Sequence, residues 1–118
     1  MAEDTRPPLD HLGPTVWGID ANVVAALAYA VGWVSGAVLL AAEPNKFVRF
    51  HALQSVIVFG ALSLAWMVAW SLGPPGWILA IFIIPPVSAV LWLLLMYKAY
   101  QGERYKVPVA GDMAEQRV

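Results

Sequence analysis

Residues 52–97, ALQSVIVFGALSLAWMVAWSLGPPGWILAIFIIPPVSAVLWLLLMY, form the longest uncharged stretch of the chain, 46 residues. One helix of that length would measure about 69 Å, whereas the hydrocarbon core of a bilayer is only about 30 Å thick. Residues 73–76, GPPG, predict a break in the helix, because proline removes backbone donors and glycine admits positive φ angles. The stretch therefore predicts two membrane-spanning helices, over residues 52–72 and 77–97, joined by a turn.

A third apolar run, residues 21–42 (ANVVAALAYAVGWVSGAVLLAA), also contains no charge. A helix of 22 residues is about 33 Å long, which is enough to cross a bilayer. Asp20 is placed to cap its start, and Glu43 and Pro44 end it. The sequence therefore predicts an all-α fold: a single small polytopic membrane domain over residues 1–118, with three transmembrane helices.

The composition agrees with a membrane protein. Hydrophobic residues make up 60% of the 118 residues and charged residues 13%, with a mean hydropathy of +0.67; soluble domains have about 45–50% and about 25%. The absence of cysteine excludes disulfides, thiolate catalysis and cysteine-ligated metals. A net charge of −1 gives no support for nucleic acid as a partner, so the expected partner is the lipid bilayer.

The distribution of basic residues predicts an orientation. Residues 1–20 are a polar leader with four acids and one base, unlike a secretory signal, which has a basic start and an apolar run. With three spans, the leader and the turn would lie on one side of the membrane and carry one base between them. The amphipathic loop 43–51 and the polar tail 98–118 would lie on the other side and together carry six bases. This predicts an external N-terminus and a cytoplasmic C-terminus. An even number of spans would put both termini on one side and weaken the asymmetry.

Pro85 and Pro86 lie near the middle of the third predicted span. Each proline removes a backbone hydrogen bond and clashes with the preceding turn. One interpretation is a kinked helix that still spans the bilayer, because neighbouring helices can satisfy the freed carbonyl groups. The other interpretation is a broken or re-entrant helix that lines a polar cavity, as in some transporters.

The segment around residues 43–55 carries the most informative side chains. Asn45 can cap the helix that begins there. One interpretation is an entry turn at the membrane surface, with aromatic anchors and basic residues on lipid headgroups. The other is a cluster at the cytoplasmic mouth that binds a partner, an ion or a substrate. The candidate residues, four of which share one helical face, are Phe47, Arg49, Phe50, His51 and Gln54.

Small residues recur at helical spacing in the first two apolar runs. Such faces let helix backbones approach closely in a membrane. They predict either packing of the first run on the second or a face for self-association. The residues are Ala28, Gly32 and Gly36, which include a GxxxG match, and Ala61, Ala65 and Ala69.

No catalytic apparatus can be recognised. No Asp, Glu, Lys or Arg lies inside a predicted span, although pumps and ion-coupled carriers usually bury ionisable groups there. The buried polar side chains reduce to Gln54, a few serines and Tyr29, and Gln54 is interpreted as an interhelical hydrogen-bond donor. We therefore expect no enzyme activity, no metal and no cofactor.

The segment at residues 45–55, NKFVRFHALQS, resembles the signature of the small bacterial membrane proteins grouped with Tic-twenty, the import component of the chloroplast inner envelope. The resemblance continues through residues 26–29, ALAY, and covers roughly residues 20–115. It implies a multi-pass protein of the bacterial cytoplasmic (inner) membrane with a link to protein translocation, and it assigns no reaction to the cluster. Pro85 and Pro86 depart from the pattern of that family. Further matching residues are Gly32, Gly36, Trp92, Met96, Ala99, Gly102, Glu103, Tyr105, Lys106, Pro108, Gly111, Ala114 and Glu115.

These observations favour a non-enzymatic scaffold, or an accessory subunit associated with translocation, that acts through helix packing in a homo-oligomer or a larger membrane complex. The alternative is a small channel or carrier built by oligomerisation. A channel needs a polar path, which only the regions of Gln54 and of Pro85 and Pro86 could supply.

Overall fold

The computed structural model describes residues 12–16 and 18–118, so most of the predicted leader lies outside the described residues. The all-α fold class is confirmed, since this part of the chain contains helices and no strand. A π-helical segment, Leu79–Ile83, joins α4 to α5. The six α-helices of the described residues are α1 (Ala21–Ala30), α2 (Trp33–Ala42), α3 (Lys46–Ser71), α4 (Pro74–Ile78), α5 (Ile84–Tyr100) and α6 (Ala110–Gln116).

Two apolar helices are long enough to cross a bilayer. They are α3, with 26 residues, and the continuous helix Pro74–Tyr100, with 27. The first begins at Lys46, earlier than the predicted residue 52, because the side chain of Asn45 accepts a hydrogen bond from the amide of Val48 at 3.2 Å and caps the helix there. Most of the predicted loop 43–51 is therefore helical.

The helix Pro74–Tyr100 is not broken at its prolines. Pro85 and Pro86 lie in the first turn of α5, directly after the π-helical segment. In that segment the amide of Ile84 bonds to the carbonyl of Leu79, five residues back. This wider turn gives the pyrrolidine rings space that a regular α-helix does not offer, so the helix continues through Pro85 and Pro86. Of the two interpretations, the structure agrees with the spanning helix.

The first apolar run is not one helix, and the prediction of three spanning helices is not confirmed. Residues 21–42 form α1 and α2, ten residues each, separated at Gly32 with a φ angle of 60°. Each is about 15 Å long, half the thickness of a hydrocarbon core. Neither helix alone can cross a bilayer.

Helix α1 runs antiparallel to the last part of α5. Near its start, the Asn22 side chain donates a hydrogen bond to the carbonyl of Tyr100 at 2.8 Å. Near its end, the carbonyl of Tyr29 accepts from the indole of Trp92 at 2.8 Å. Because α5 ends at Tyr100, α1 begins at the end of the helix pair that carries the tail and points toward the middle.

Helix α2 returns to that end along α3. At its start, the carbonyl of Gly32 accepts from the Ser55 hydroxyl at 2.8 Å. At its end, the Arg49 guanidinium donates to the carbonyl of Leu40 at 2.5 Å. The two short helices are therefore a hairpin (the α1–α2 hairpin, residues 21–42). Its tip lies beside Ser55, about 14 Å along α3 from its first residue.

The described leader residues lie at the same end as the tail. The Asn45 amide group donates to the carbonyls of Leu12 and Pro14 at 2.8 and 2.9 Å. The Glu43 carboxylate accepts from the amide of Val16 at 3.1 Å. The structure therefore differs from the three-span arrangement, which puts leader and tail at opposite ends, because the hairpin brings the chain back to where it started.

Close contact between α2 and α3 depends on Gly36. A Cβ atom at this position would lie 2.7 Å from the carbonyl oxygen of Ala52 and 2.9 Å from the Cβ of Ser55. Gly60, in the second half of α3, has no atom within 4 Å of such a Cβ.

We expect Gly36→Ala to lower the free energy of unfolding by about 1–3 kcal/mol, because the hairpin must move away from α3. The matched control is Gly60→Ala, which we expect to be neutral or stabilising by up to about 1 kcal/mol, since alanine is the better helix former. Both are measured by denaturant titration of the purified protein in detergent, followed by circular dichroism. Equal effects of the two substitutions would contradict the close contact at Gly36.

Candidate functional site

A cluster of buried polar side chains lies where the hairpin, α3 and the tail meet. We call Tyr29, His51, Gln54 and Ser55 the polar cluster; all four are fully buried, with 0% exposure. Tyr29 comes from α1 and the other three from α3. Because Gln54 donates a hydrogen bond to Tyr29 on another helix, it has the interhelical role that the sequence predicts.

The hydrogen bonds of the polar cluster have one consistent direction. The Gln54 amide donates to the hydroxyl of Tyr29 at 2.9 Å, so this hydroxyl is free to donate to Nδ1 of His51 at 2.7 Å. Nδ1 is then the acceptor of a neutral imidazole, and Nε2 carries the hydrogen. Nε2 donates to the carbonyl of Glu103 at 2.9 Å. The network assigns the tautomer of His51 and leaves neither ring nitrogen without a partner.

The tail is attached to the polar cluster through its backbone. Gln54 donates to the carbonyl of Tyr105 and accepts from the amide of Val107, both at 2.9 Å. Together with the bond from His51, these contacts hold residues 103–107 as a strap across the cluster. A side chain at Gly111 would come within 2.9 Å of the Gln54 oxygen, so the start of α6 also packs on it.

Aromatic rings surround the imidazole of His51. The rings of Phe47, Phe50 and Tyr29 meet it edge to face, with centroid distances of 4.7, 5.0 and 5.5 Å. This geometry is favourable for aromatic pairs and excludes water from the ring. The histidine is therefore fully buried among aromatic rings.

The residues of the predicted candidate cluster lie together, but most of them face inward. Phe47, Phe50, His51 and Gln54 are buried, and only Arg49 is partly exposed. Their hydrogen bonds go to other parts of the same chain. Sequence reasoning missed the backbone of the tail as the partner of His51 and Gln54, because no sequence pattern shows which distant carbonyl a side chain will contact.

The small residues of the two predicted packing faces lie in different surroundings. Ala28 and Gly36 are buried, and Gly32 forms the tip of the hairpin beside Phe59. Ala69 is also buried, against the turn at Gly76, where a Cβ atom would collide with the carbonyl of Ala69. The other two, Ala61 and Ala65, are exposed.

A second feature is a cavity of about 390 Å³ at the end of the helix pair that carries the tail, which we call the charged end. We call this cavity the basic cavity. Lys46, at the start of α3, and Arg104, in the strap, are its charged residues. Among the described residues it is lined by Leu12, Lys46, Phe47, Gly102 and Arg104. Within residues 12–16 and 18–118, no group of three or more His, Asp or Glu side chains could hold a metal ion.

The chain is similar to membrane proteins of archaea. It is 43% identical over 108 residues to a UPF0132 membrane protein of Methanocaldococcus jannaschii, covering 89% of this chain and 94% of that protein. A second UPF0132 membrane protein of that organism is 42% identical over 99 residues, covering 83% and 70%. One from Archaeoglobus fulgidus is 41% identical over 100 residues, covering 82% and 94%. No family model and no solved structure matches the chain, and the resemblance to the Tic-twenty group stays a prediction.

We expect Tyr29→Phe to lower the free energy of unfolding by about 1–3 kcal/mol, because it leaves Nδ1 of His51 buried without a partner. The control is Tyr97→Phe, which removes a hydroxyl that accepts from Gln101 at an exposed site; its effect should stay within about 0.5 kcal/mol. Denaturant titration in detergent measures both variants. A Tyr29→Phe variant as stable as the wild type would show that the network contributes nothing to the fold.

Proposed function

The chain belongs to the UPF0132 family of membrane proteins, and from this premise we propose that it is a non-enzymatic membrane scaffold or accessory subunit. It acts by packing its helices against a partner inside the bilayer. The proposal rests on one observation: among the residues that the structure describes, no third helix lies beside one half of the long helix pair, and the outward face of that half carries small residues.

The α1–α2 hairpin covers only the half of the helix pair that carries the tail. Beyond Phe59 on α3, most side chains are exposed, and so are most of those in residues 74–90 of the second long helix. Lipid chains can cover such a surface. Small residues on it also permit a helix of another subunit to approach closely.

One face of α3 combines these properties, and we call it the outer face: Ala61, Leu64, Ala65 and Val68. Their spacing of three and four residues puts them on one side of the helix. The two alanines are exposed, and Leu64 and Val68 are 64% and 55% exposed. The outer face thus has two alanines, one turn apart, between larger apolar side chains. This arrangement favours helix packing over contact with lipid alone.

The polar side chains support a structural role rather than a chemical one. Those of the polar cluster bond to each other, to the hairpin and to the strap. The strap covers the cluster at the end that carries the tail, and all four side chains of the cluster are fully buried.

The scaffold proposal is tested by isolating the protein from native membranes in mild detergent and identifying what elutes with it. We expect a partner protein or a second copy, and at least a tenfold loss of it in the variant A61L/A65L, which fills the outer face. The control is V34L/V38L, two exposed positions on α2 at the same spacing, which should keep the partner.

A wild-type protein that elutes as a monomer without a partner would refute the scaffold proposal. If the purified protein instead conducts ions or solutes in liposomes, the channel or carrier alternative takes its place.

For the orientation, we propose that leader and tail both face the cytoplasm, in the cytoplasmic membrane. All seven Lys and Arg residues of the sequence lie outside residues 52–97, so the turn at 73–76 has none. In this proposal the hairpin returns to the end where it starts, so the chain crosses the membrane an even number of times. All seven basic residues then lie on one side, which makes the charge asymmetry stronger than with three spans, contrary to the expectation from sequence. Basic residues mark the cytoplasmic side.

Single-cysteine labelling tests this orientation, because the chain has no cysteine of its own. With a membrane-impermeant thiol reagent, we expect Val16→Cys and Gln116→Cys to react from the same side of the membrane. Ser71→Cys, next to the turn, should react from the other side; all three positions are exposed. Opposite labelling of positions 16 and 116 would restore the arrangement with three spans.

A further inference from the structure

We propose that the basic cavity binds a phosphate group, presented either by the headgroup of an anionic lipid or by a free phosphate compound. Two cationic side chains and two apolar ones line it, Lys46 and Arg104 with Leu12 and Phe47. Its volume of about 390 Å³ lies within the usual range of small-ligand sites, about 300–1,000 Å³.

The two cations come from separate elements that the fold brings together. Lys46 is the first residue of α3, and Arg104 follows the turn that ends α5. That turn reverses at Gly102, whose φ angle is 83°, with the amide of Glu103 bonded to the carbonyl of Lys98 at 3.0 Å. The chain on the N-terminal side of Arg104 is therefore fixed.

The side chain of Arg104 also has a defined place. Its guanidinium lies 5.5 Å from the centroid of the Phe50 ring, a cation–π contact. On its two sides in the chain, the carbonyls of Glu103 and Tyr105 accept from the polar cluster. A guanidinium held in this way is well suited to a phosphate, because its planar donors match the phosphate oxygens.

Nearby carboxylates are engaged elsewhere. Glu103 forms an ion pair with Lys98 at 3.3 Å, and Glu115 pairs with Lys106. The buried Glu43 accepts from backbone amides at 3.1 Å. None of these three carboxylates lines the cavity, so the net charge of the described lining is positive. In the proposed arrangement, this end of the helix pair lies at the level of the lipid headgroups.

The apolar lining favours a lipid. Leu12 and the buried ring of Phe47 lie beside the two cations at the first turn of a membrane-spanning helix. A lipid can place its phosphate on the two cations and extend its acyl chain into the bilayer. Basic pockets at this depth are a known means of holding anionic headgroups.

The test uses the purified full chain in detergent. Short-chain phosphatidylglycerol, short-chain phosphatidylcholine and inorganic phosphate are each titrated, and the shift of the thermal unfolding midpoint gives an apparent affinity. We expect phosphatidylglycerol to stabilise the wild type more than phosphatidylcholine does. The variant K46Q/R104Q should bind it about tenfold more weakly or worse. At a matched loss of one charge, R104Q should bind it about threefold more weakly or worse, whereas the control R117Q, at an exposed position that does not line the cavity, should change by less than about twofold.

The outcomes separate the two kinds of ligand. A response to inorganic phosphate that is lost in K46Q/R104Q identifies a free phosphate compound; a response to phosphatidylglycerol alone identifies a lipid headgroup. Equal losses in R104Q and R117Q would mean diffuse surface attraction, and no response from the wild type would mean no site; either result overturns the proposal. Should K46Q/R104Q fail to fold, Lys46→Gln alone serves, since Lys46 is exposed and the contact of Arg104 with Phe50 remains.

Discussion

The constraint on which this fold depends is that a backbone polar group inside a bilayer needs a partner from the protein. The tip of the hairpin interrupts a helix beside Ser55 of α3 and would expose carbonyl groups there. Three side chains prevent this: the Ser35 hydroxyl donates to the carbonyl of Ala28 at 3.0 Å, Ser55 to that of Gly32, and the indole of Trp92 to that of Tyr29. The hairpin can reverse direction partway along the long helix pair because these donors are in place.

The first half of α3 holds the remaining elements together. One side of it receives α2 at Gly36, and the polar cluster on it binds α1 through Tyr29 and the tail through Gln54. Packing and hydrogen bonding therefore act at the same place. In a membrane, where lipid removes much of the hydrophobic driving force between helices, such contacts replace it.

The two ends of the helix pair differ in how many elements pack against them. The charged end contains the hairpin, the strap, α6 and the described cations. In the part of the chain that the structure describes, the opposite end consists of two helices and a short turn, with an exposed outer face. Within the described residues, hydrogen-bonded contacts concentrate at one end and exposed apolar side chains at the other, and this contrast is the basis of the proposed scaffold role.

The sequence by itself determined the solvent, the helical class and the long helix pair, because hydrophobicity and the GPPG break at 73–76 are local properties of the chain. It also located the cap at Asn45 and the shared face of Phe47, Phe50, His51 and Gln54, since helical spacing is local too. Only the tertiary structure decided that residues 21–42 turn back and that the tail closes the polar cluster. Both depend on partners far away in sequence. Hydropathy carries no information about which distant side chain will donate a hydrogen bond to the free carbonyl groups of an interrupted helix.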